Sequence, residues 1–381
     1  MRNPSPGGSV KKGSPALSLR INLHHLLKGE ELEDIGRSHL IIENGCIAEI
    51  GQGWVSDADI VGGVGIPLPV NAHIHLNDYR APDHCVGYSI GNYVGHKGLK
   101  HTLITLYKEP LVARELEPIL VMYGLIIDYQ EHHWLCTGFR DILSKYSTSY
   151  VGLSRPKSWD DRLEDICVDC GGLGISNPTR VPPWVLGEIA SLSRKYVVSA
   201  HISETPKMEK TGGLHYLLSA GVRLKQAVHG TFLEEWEIKL LAEHGISLVV
   251  NPRSNVWFTG RLPPIRQALE NEVVVALGTD NTGCFHPDIW VEAEFLFNHF
   301  PDIDPKLVIE AATLNGYKSI GMEPYTIEEG KEAFLLIADL GIANERSGNI
   351  YASIIRRITW SSQIIVLKKN KIYAIRKTFS T

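Results

Sequence analysis

The sequence predicts an α/β fold, a TIM-like (β/α)8 barrel carrying a small β-sandwich built from both chain ends. Three observations lead there. Between about residues 66 and 320, eight apolar strand-like runs alternate with helix-like stretches. Alternation implies a parallel sheet, and eight units suggest that it closes. Both chain ends instead carry short strand-like runs broken by polar turns. Finally, histidines and acids collect at the C-terminal ends of the barrel runs, where such barrels keep their chemistry.

The elements follow in order. Residues 1–18 (MRNPSPGGSVKKGSPALS) are rich in Gly, Pro and Ser and lack a signal peptide's apolar stretch, so they read as a flexible tail. Residues 19–65 form the N-terminal part of the sandwich, with a hairpin turn expected at Asn44-Gly45. Residues 66–325 form the barrel. Its strands are GIPLPVNAHIHL, LCTGFRD (135–141), YVGLSRP (150–156), CVDCGGLGIS (167–176), YVVSAHISE (196–204), LKQAVHG (224–230), ISLVVNP (246–252) and VVVALGTDN (273–281). Helical stretches lie between most of them, beginning with ELEPILVMYGLIIDYQEHH. A doubly wound open sheet is the alternative, but CGGLGIS lacks the GxGxxG spacing that would support it. Residues 326–381 supply strands for the C-terminal part of the sandwich.

Composition narrows the function classes. With 44% hydrophobic and 21% charged residues, the 381-residue chain can bury a large core. A net charge of −5 and a pI near 6.3 give no basic field for nucleic acid or an anionic membrane. The span EPILVMYGLIIDY (117–129) is too short for a membrane helix. Six scattered cysteines fit a reducing cytoplasm, and the lone CxxC of Cys167 and Cys170 reads as structural. The expected partner is a small-molecule substrate, with a homo-oligomer left open.

The chemistry sits at the strand ends. His73 and His75 are two apart on one strand and therefore share a face. Strand five ends in His201 with Glu204 three residues on, strand six in His229, and strand eight in Asp280. Taken singly, a buried histidine is more often a satisfied core residue, and an Asp after an apolar run is usually a turn or cap. Their joint placement at one barrel mouth points to a metal such as zinc, with iron or manganese also suited to these ligands. His24, His25, His39, His132, His133 and His244 fall on hairpins or helix ends and read as surface residues. Weaker candidates for the pocket are Asn77, Arg253 and Asn255, with Trp257 and Phe258 as aromatic faces for a flat ring. KHTLITLYK (100–108) reads as a loop or lid.

From about residue 40 onward the chain resembles the amidohydrolase superfamily, and within it the metal-dependent deaminase and chlorohydrolase branch. VNAHIH, HISET, AVHG, NPRSN, LGTD, ATLNGYKSIG and IEEGKEA carry the resemblance. It implies His73, His75, His201 and Asp280 as metal ligands, His229 as holder of a water or completion of the shell, and Glu204 as proton shuttle. Asp280 and His229 are also suited to take a proton from water. Two-metal relatives use a carboxylated lysine on strand four, which is absent here, so one divalent ion per chain is expected. Three departures stand out: PLPVNAHIH replaces the usual PG turn, no histidine accompanies Asn251, and Phe334 stands where GKxAD has its aspartate. The expected function is hydrolysis of a non-peptide C–N bond, above all deamination of a small heterocyclic amine. Cyclic amide or carbon–halogen hydrolysis is the rival on the same scaffold, and an inactive barrel serving as an interaction scaffold is the rival of another class.

Overall fold

The computed structural model describes residues 18–95, 97–106, 116–206 and 212–376. All but Ser18 of the expected tail lies outside them, and Ser18 opens the first strand. The barrel strands are Val70–His75, Leu125–Gln130, Ser149–Ser154, Gly171–Ile175, Val197–Ile202, Gln226–His229 and Ser247–Val250, with an eighth in two pieces, Val275–Leu277 and Asp280–Asn281. Each pairs parallel to its neighbour. The second piece of strand eight pairs with strand one, Asp280 opposite Ile74, and closes the ring. Val70, Ala72, Leu125, Ile127, Leu153, Val228, Val249 and Ala276 fill the interior. A larger apolar layer seals the strands against the outer helices.

Strand one holds the explanation for its histidines. Simple alternation from the inward-facing Val70 and Ala72 would turn His73 and His75 outward. The register against strand two shifts between Asn71 and Ile74, so the strand bulges there. Beyond the bulge, Ile74 and Leu76 pack in the outer layer, and the His73 ring meets the interior Tyr129 at 4.5 Å. One extra residue has thus exchanged the two faces.

Strand two departs from expectation. Residues 135–141 belong to the helix Trp134–Ser144, and the strand is Leu125–Gln130, inside a stretch expected to be helical. All six residues of LIIDYQ are buried, and a strand covered on both faces shows no alternation to distinguish it from a buried helix. In the helix, Leu135, Cys136, Phe139 and Leu143 form the buried face. Likewise, 167–170 ends the helix Leu163–Cys170, and strand four begins at Gly171. In the C-terminal part, RRITW ends the helix Ile350–Arg357 and a 3-10 turn, before the strand Gln363–Lys368.

The sandwich comprises a four-stranded sheet from the N-terminal end and a six-stranded sheet drawing strands from both ends. Asn44 and Gly45 both adopt positive φ (53° and 82°), as the expected hairpin turn requires. Val64–Pro67, just before barrel strand one, pairs with Phe334–Ala338 and joins the two ends. Leu19, Ile21, Leu40, Leu335, Ile337 and Leu367 interlock between the sheets. Lys368, fully buried, donates to the Tyr123 carbonyl (2.7 Å) and to Thr148 Oγ1 (2.6 Å), tying the sandwich to the barrel floor.

The cysteines are not all free. Cys136 and Cys170 form a disulfide between neighbouring helices, 34 residues apart in sequence but with Cα atoms 5.1 Å apart. Scatter along the chain concealed this proximity. Cys167 is a buried free thiol beside it. No helix among the described residues is long and apolar enough to cross a membrane.

Candidate metal centre and active-site cavity

The strand ends bring six polar side chains together. His73 Nε2 and His75 Nε2 each lie 3.4 Å from Asp280 Oδ1. Glu204 sits opposite, Oε2 3.4 Å from His201 Nδ1 and Oε1 3.6 Å from His229 Nε2. The rings of His201 and His229 are 4.6 Å apart, and those of His73 and His201 5.1 Å. Three overlapping triads, His73–His75–His201, His73–His229–Asp280 and His201–Glu204–His229, each hold their ligand atoms within 4.8 Å of one another. Ser203, His229 and Asp280 all have positive φ (46°, 72° and 58°), an uncommon conformation for these residues and one that gathers at functional sites.

The environment fits a cation. Nε2 of His73 and His201 is buried without a hydrogen-bond partner, an arrangement that is costly unless something else fills it. Burial pushes His201 and His229 down to about 4, and lowers His73 and His75 as well. Neutral imidazoles are the form that ligates. Burial would raise Asp280, but His73, 3.4 Å away, and the other histidines gathered around it hold it well below the usual carboxylate range. Burial raises Glu204, which favours a proton there. A neutral histidine set, an ionised aspartate and a protonatable glutamate form a donor set of the kind that holds a divalent transition metal, with an acid beside it.

Several supports were not legible beforehand. Ser254 Oγ donates to Asp280 Oδ2 at 2.5 Å. Asn251 Nδ2 donates to His229 Nδ1 at 3.3 Å, which leaves the ring proton on Nε2, facing Glu204. Gly278 is required by crowding, since a Cβ would meet Asn251 Oδ1 at 2.4 Å and the His73 carbonyl at 2.7 Å. Asp128 accepts from the Leu76 backbone N–H (3.0 Å) and Tyr150 (2.9 Å), and burial pushes it up to about 7. It steadies the chain just past His75.

A cavity of about 640 Å³ opens over His75, His201, Glu204 and Asp280. Of the weaker pocket candidates, Phe258 lines it. Asn77 is buried beside it, lining a small adjoining space with Asp78 and Lys100. Arg253 is held by Glu292 (2.8 Å) and the His286 carbonyl (2.6 Å), outside the lining. Asn255 bridges the Asn251 N–H (3.0 Å) and Thr231 (2.7 Å), a structural role. Trp257 is 53% exposed and outside the lining. His132, expected on the surface, lines the cavity, as do Lys100 and His101 of the expected lid; Tyr107 and Lys108 lie outside the described residues. His39, also expected on the surface, is buried against the Gly53 carbonyl (3.0 Å) and Glu49 (3.2 Å).

Fold and site together define a barrel hydrolase, and the chain belongs to the amidohydrolase family. A sequence model of that family matches residues 190–374. The chain is 30% identical to a 5'-deoxyadenosine deaminase of Methanothermobacter thermautotrophicus over 84% of each chain. It is 26% identical to a 5-methylthioadenosine/S-adenosylhomocysteine deaminase of Thermococcus onnurineus, over 85% of this chain and 86% of that one. An adenosine deaminase structure from Xanthomonas campestris, with bound zinc, superposes with a TM-score of 0.75 at 18% identity, covering 93% of this chain and 92% of the other.

Proposed function

We propose that this enzyme deaminates a small heterocyclic amine with the help of one divalent metal ion, zinc by preference. The observation that carries the reading is the convergence of four imidazoles, three of them buried, with Asp280 and Glu204 at one barrel mouth, the Nε2 atoms of His73 and His201 being buried without a partner. His73, His75, His201 and Asp280 would hold the metal. When bound there, a divalent ion lowers the pKa of water toward neutrality and makes it a nucleophile.

The chain's own residues do the rest. Asp280 accepts the proton of the attacking water, and its second oxygen stays fixed by Ser254. His229, with Nε2–H directed toward Glu204, would orient that water by a hydrogen bond. Glu204, raised by burial, holds a proton for the ring nitrogen as the amine-bearing carbon becomes tetrahedral. The proton held by Asp280 then passes to the amine, which leaves as ammonia as the C–N bond breaks, while Glu204 takes up the proton of the new hydroxyl and the product carbonyl forms. Phe258 contributes an apolar wall for the ring.

A single ion is favoured by strand four. A Cβ on Gly174 would come within 2.7 Å of the Tyr129 ring, so that ring fills the space into which a bridging lysine would grow. Deaminase names among the relatives support the same reaction class. The test is metal content together with ammonia release across purines, pyrimidines, pterins and triazines, with lactams and cyclic ureas alongside. One metal per chain and ammonia from a heterocyclic amine are expected. Lactam opening with no ammonia from any amine would overturn the reaction while sparing the metal site.

A further inference from the structure

The cavity wall away from the histidines is cationic. Lys100, Arg155, Lys157 and Arg180 all line it, from three separate loop or helix segments. Two are compensated. Lys100 Nζ lies 2.7 Å from Asp78 and 3.5 Å from Glu131, and Arg155 forms an ion pair with Glu131 while donating to Ser176 Oγ at 3.3 Å. Lys157 and Arg180 have no ion-pair partner among the described residues, although both line the cavity. Of the acids lining the same cavity, Glu131 is taken up by Lys100 and Arg155, while Glu204 and Asp280 face the histidine cluster, so Lys157 and Arg180 stay uncompensated.

That charge is felt inside. His132 is held below its ordinary value by burial first, then by Lys157 and Arg80. Uncompensated charge on a cavity wall concentrates ligands of the opposite sign. At about 640 Å³ it also exceeds what a bare heterocycle needs, and falls in the range that encloses a larger ligand.

We infer that the substrate carries a phosphate-class dianion, seated between Arg180 and Lys157 with Arg155 behind them, while its amine-bearing ring faces Glu204. This rests on the deaminase reading and adds to it: the substrate is a phosphorylated amine such as a nucleoside monophosphate, not a neutral nucleoside or free base. Two uncompensated cations match a dianion better than a single carboxylate. A guanidinium beside an ammonium offers a fork and a point charge, the pairing suited to phosphate oxygens.

The test compares ammonia release by the metal-loaded full chain from adenosine, its 5'-monophosphate and a 5'-carboxylate analogue, with calorimetry of inorganic phosphate binding in parallel. Losing a charge-assisted contact should cost about ten- to a hundredfold. The monophosphate should therefore lead in kcat/KM by at least that factor, with the lead shrinking in Lys157→Gln and Arg180→Gln and collapsing in the double variant. Inorganic phosphate should bind the parent and not the double variant, at equal metal content. Equal or better turnover of adenosine or the carboxylate would overturn the inference, as would phosphate binding unaffected by the double substitution. If no amine releases ammonia yet phosphate binding is lost in the double variant, the anion subsite stands and the deaminase reading falls.

Discussion

Ser254 is a single hydroxyl between two polar neighbours, yet it grips Asp280 through the oxygen not shared with the histidines. Outer hydrogen bonds of this kind typically alter metal affinity by about 10–100-fold. Ser254→Ala should weaken metal binding by that order in a chelator competition while the far-ultraviolet circular dichroism stays unchanged; unaltered affinity would remove Ser254 from the site. Glu204→Gln probes the opposite side. It keeps the shape but not the titrating proton, so turnover should fall about 10²–10⁴-fold with metal content preserved. Metal loss in that variant would make Glu204 a ligand instead of an acid. The two substitutions separate holding the metal from moving the proton.

At the scale of elements, the helices flanking strand three are joined by the Cys136–Cys170 bridge. Closing a loop of this length stabilises by about 2–4 kcal/mol in the chain-entropy account. Reduction, or Cys136→Ser with Cys170→Ser, should lower the urea midpoint accordingly and leave metal affinity untouched, because neither helix supplies a strand-end ligand. The same region shows what the sequence could and could not reveal. His73, His75, His201, His229 and Asp280 were legible because each ends a strand whose apolar run is bounded by polar turns. Strand two was not, since LIIDYQ is buried on both faces and carries no alternation. The bulge that turns His73 inward was hidden too, as register depends on a partner strand. Lys100, Glu131, Arg155 and Arg180 come from separate loop and helix segments and show no spacing that marks them as one wall.

Across the whole molecule, Lys368 is the polar tie between sandwich and barrel. Burial, with Lys371 nearby, lowers it from 10.5 to about 7. Between those values the unfolded chain carries a proton that the folded chain lacks, so stability gains from this group as pH rises from about 7 toward 10.5. Below about 7 the charge is buried in the folded state and the full penalty applies. Urea midpoints should therefore rise between pH 6.5 and 9 more steeply in the parent than in Lys368→Met; parallel profiles would discount the assignment. The divided eighth strand has a different consequence. The ring is fastened by Thr279 N–H to the His73 carbonyl (2.9 Å) and by Asp280 and Asn281 against Ile74 and His75, so its clasp is made of the proposed metal ligands and their neighbours. An ion spanning His73, His75 and Asp280 would cross the joint between the chain's first and last barrel strands. Removing it should quicken amide exchange at Ile74, His75 and 279–281 before the other strands respond, so that the barrel opens where it acts.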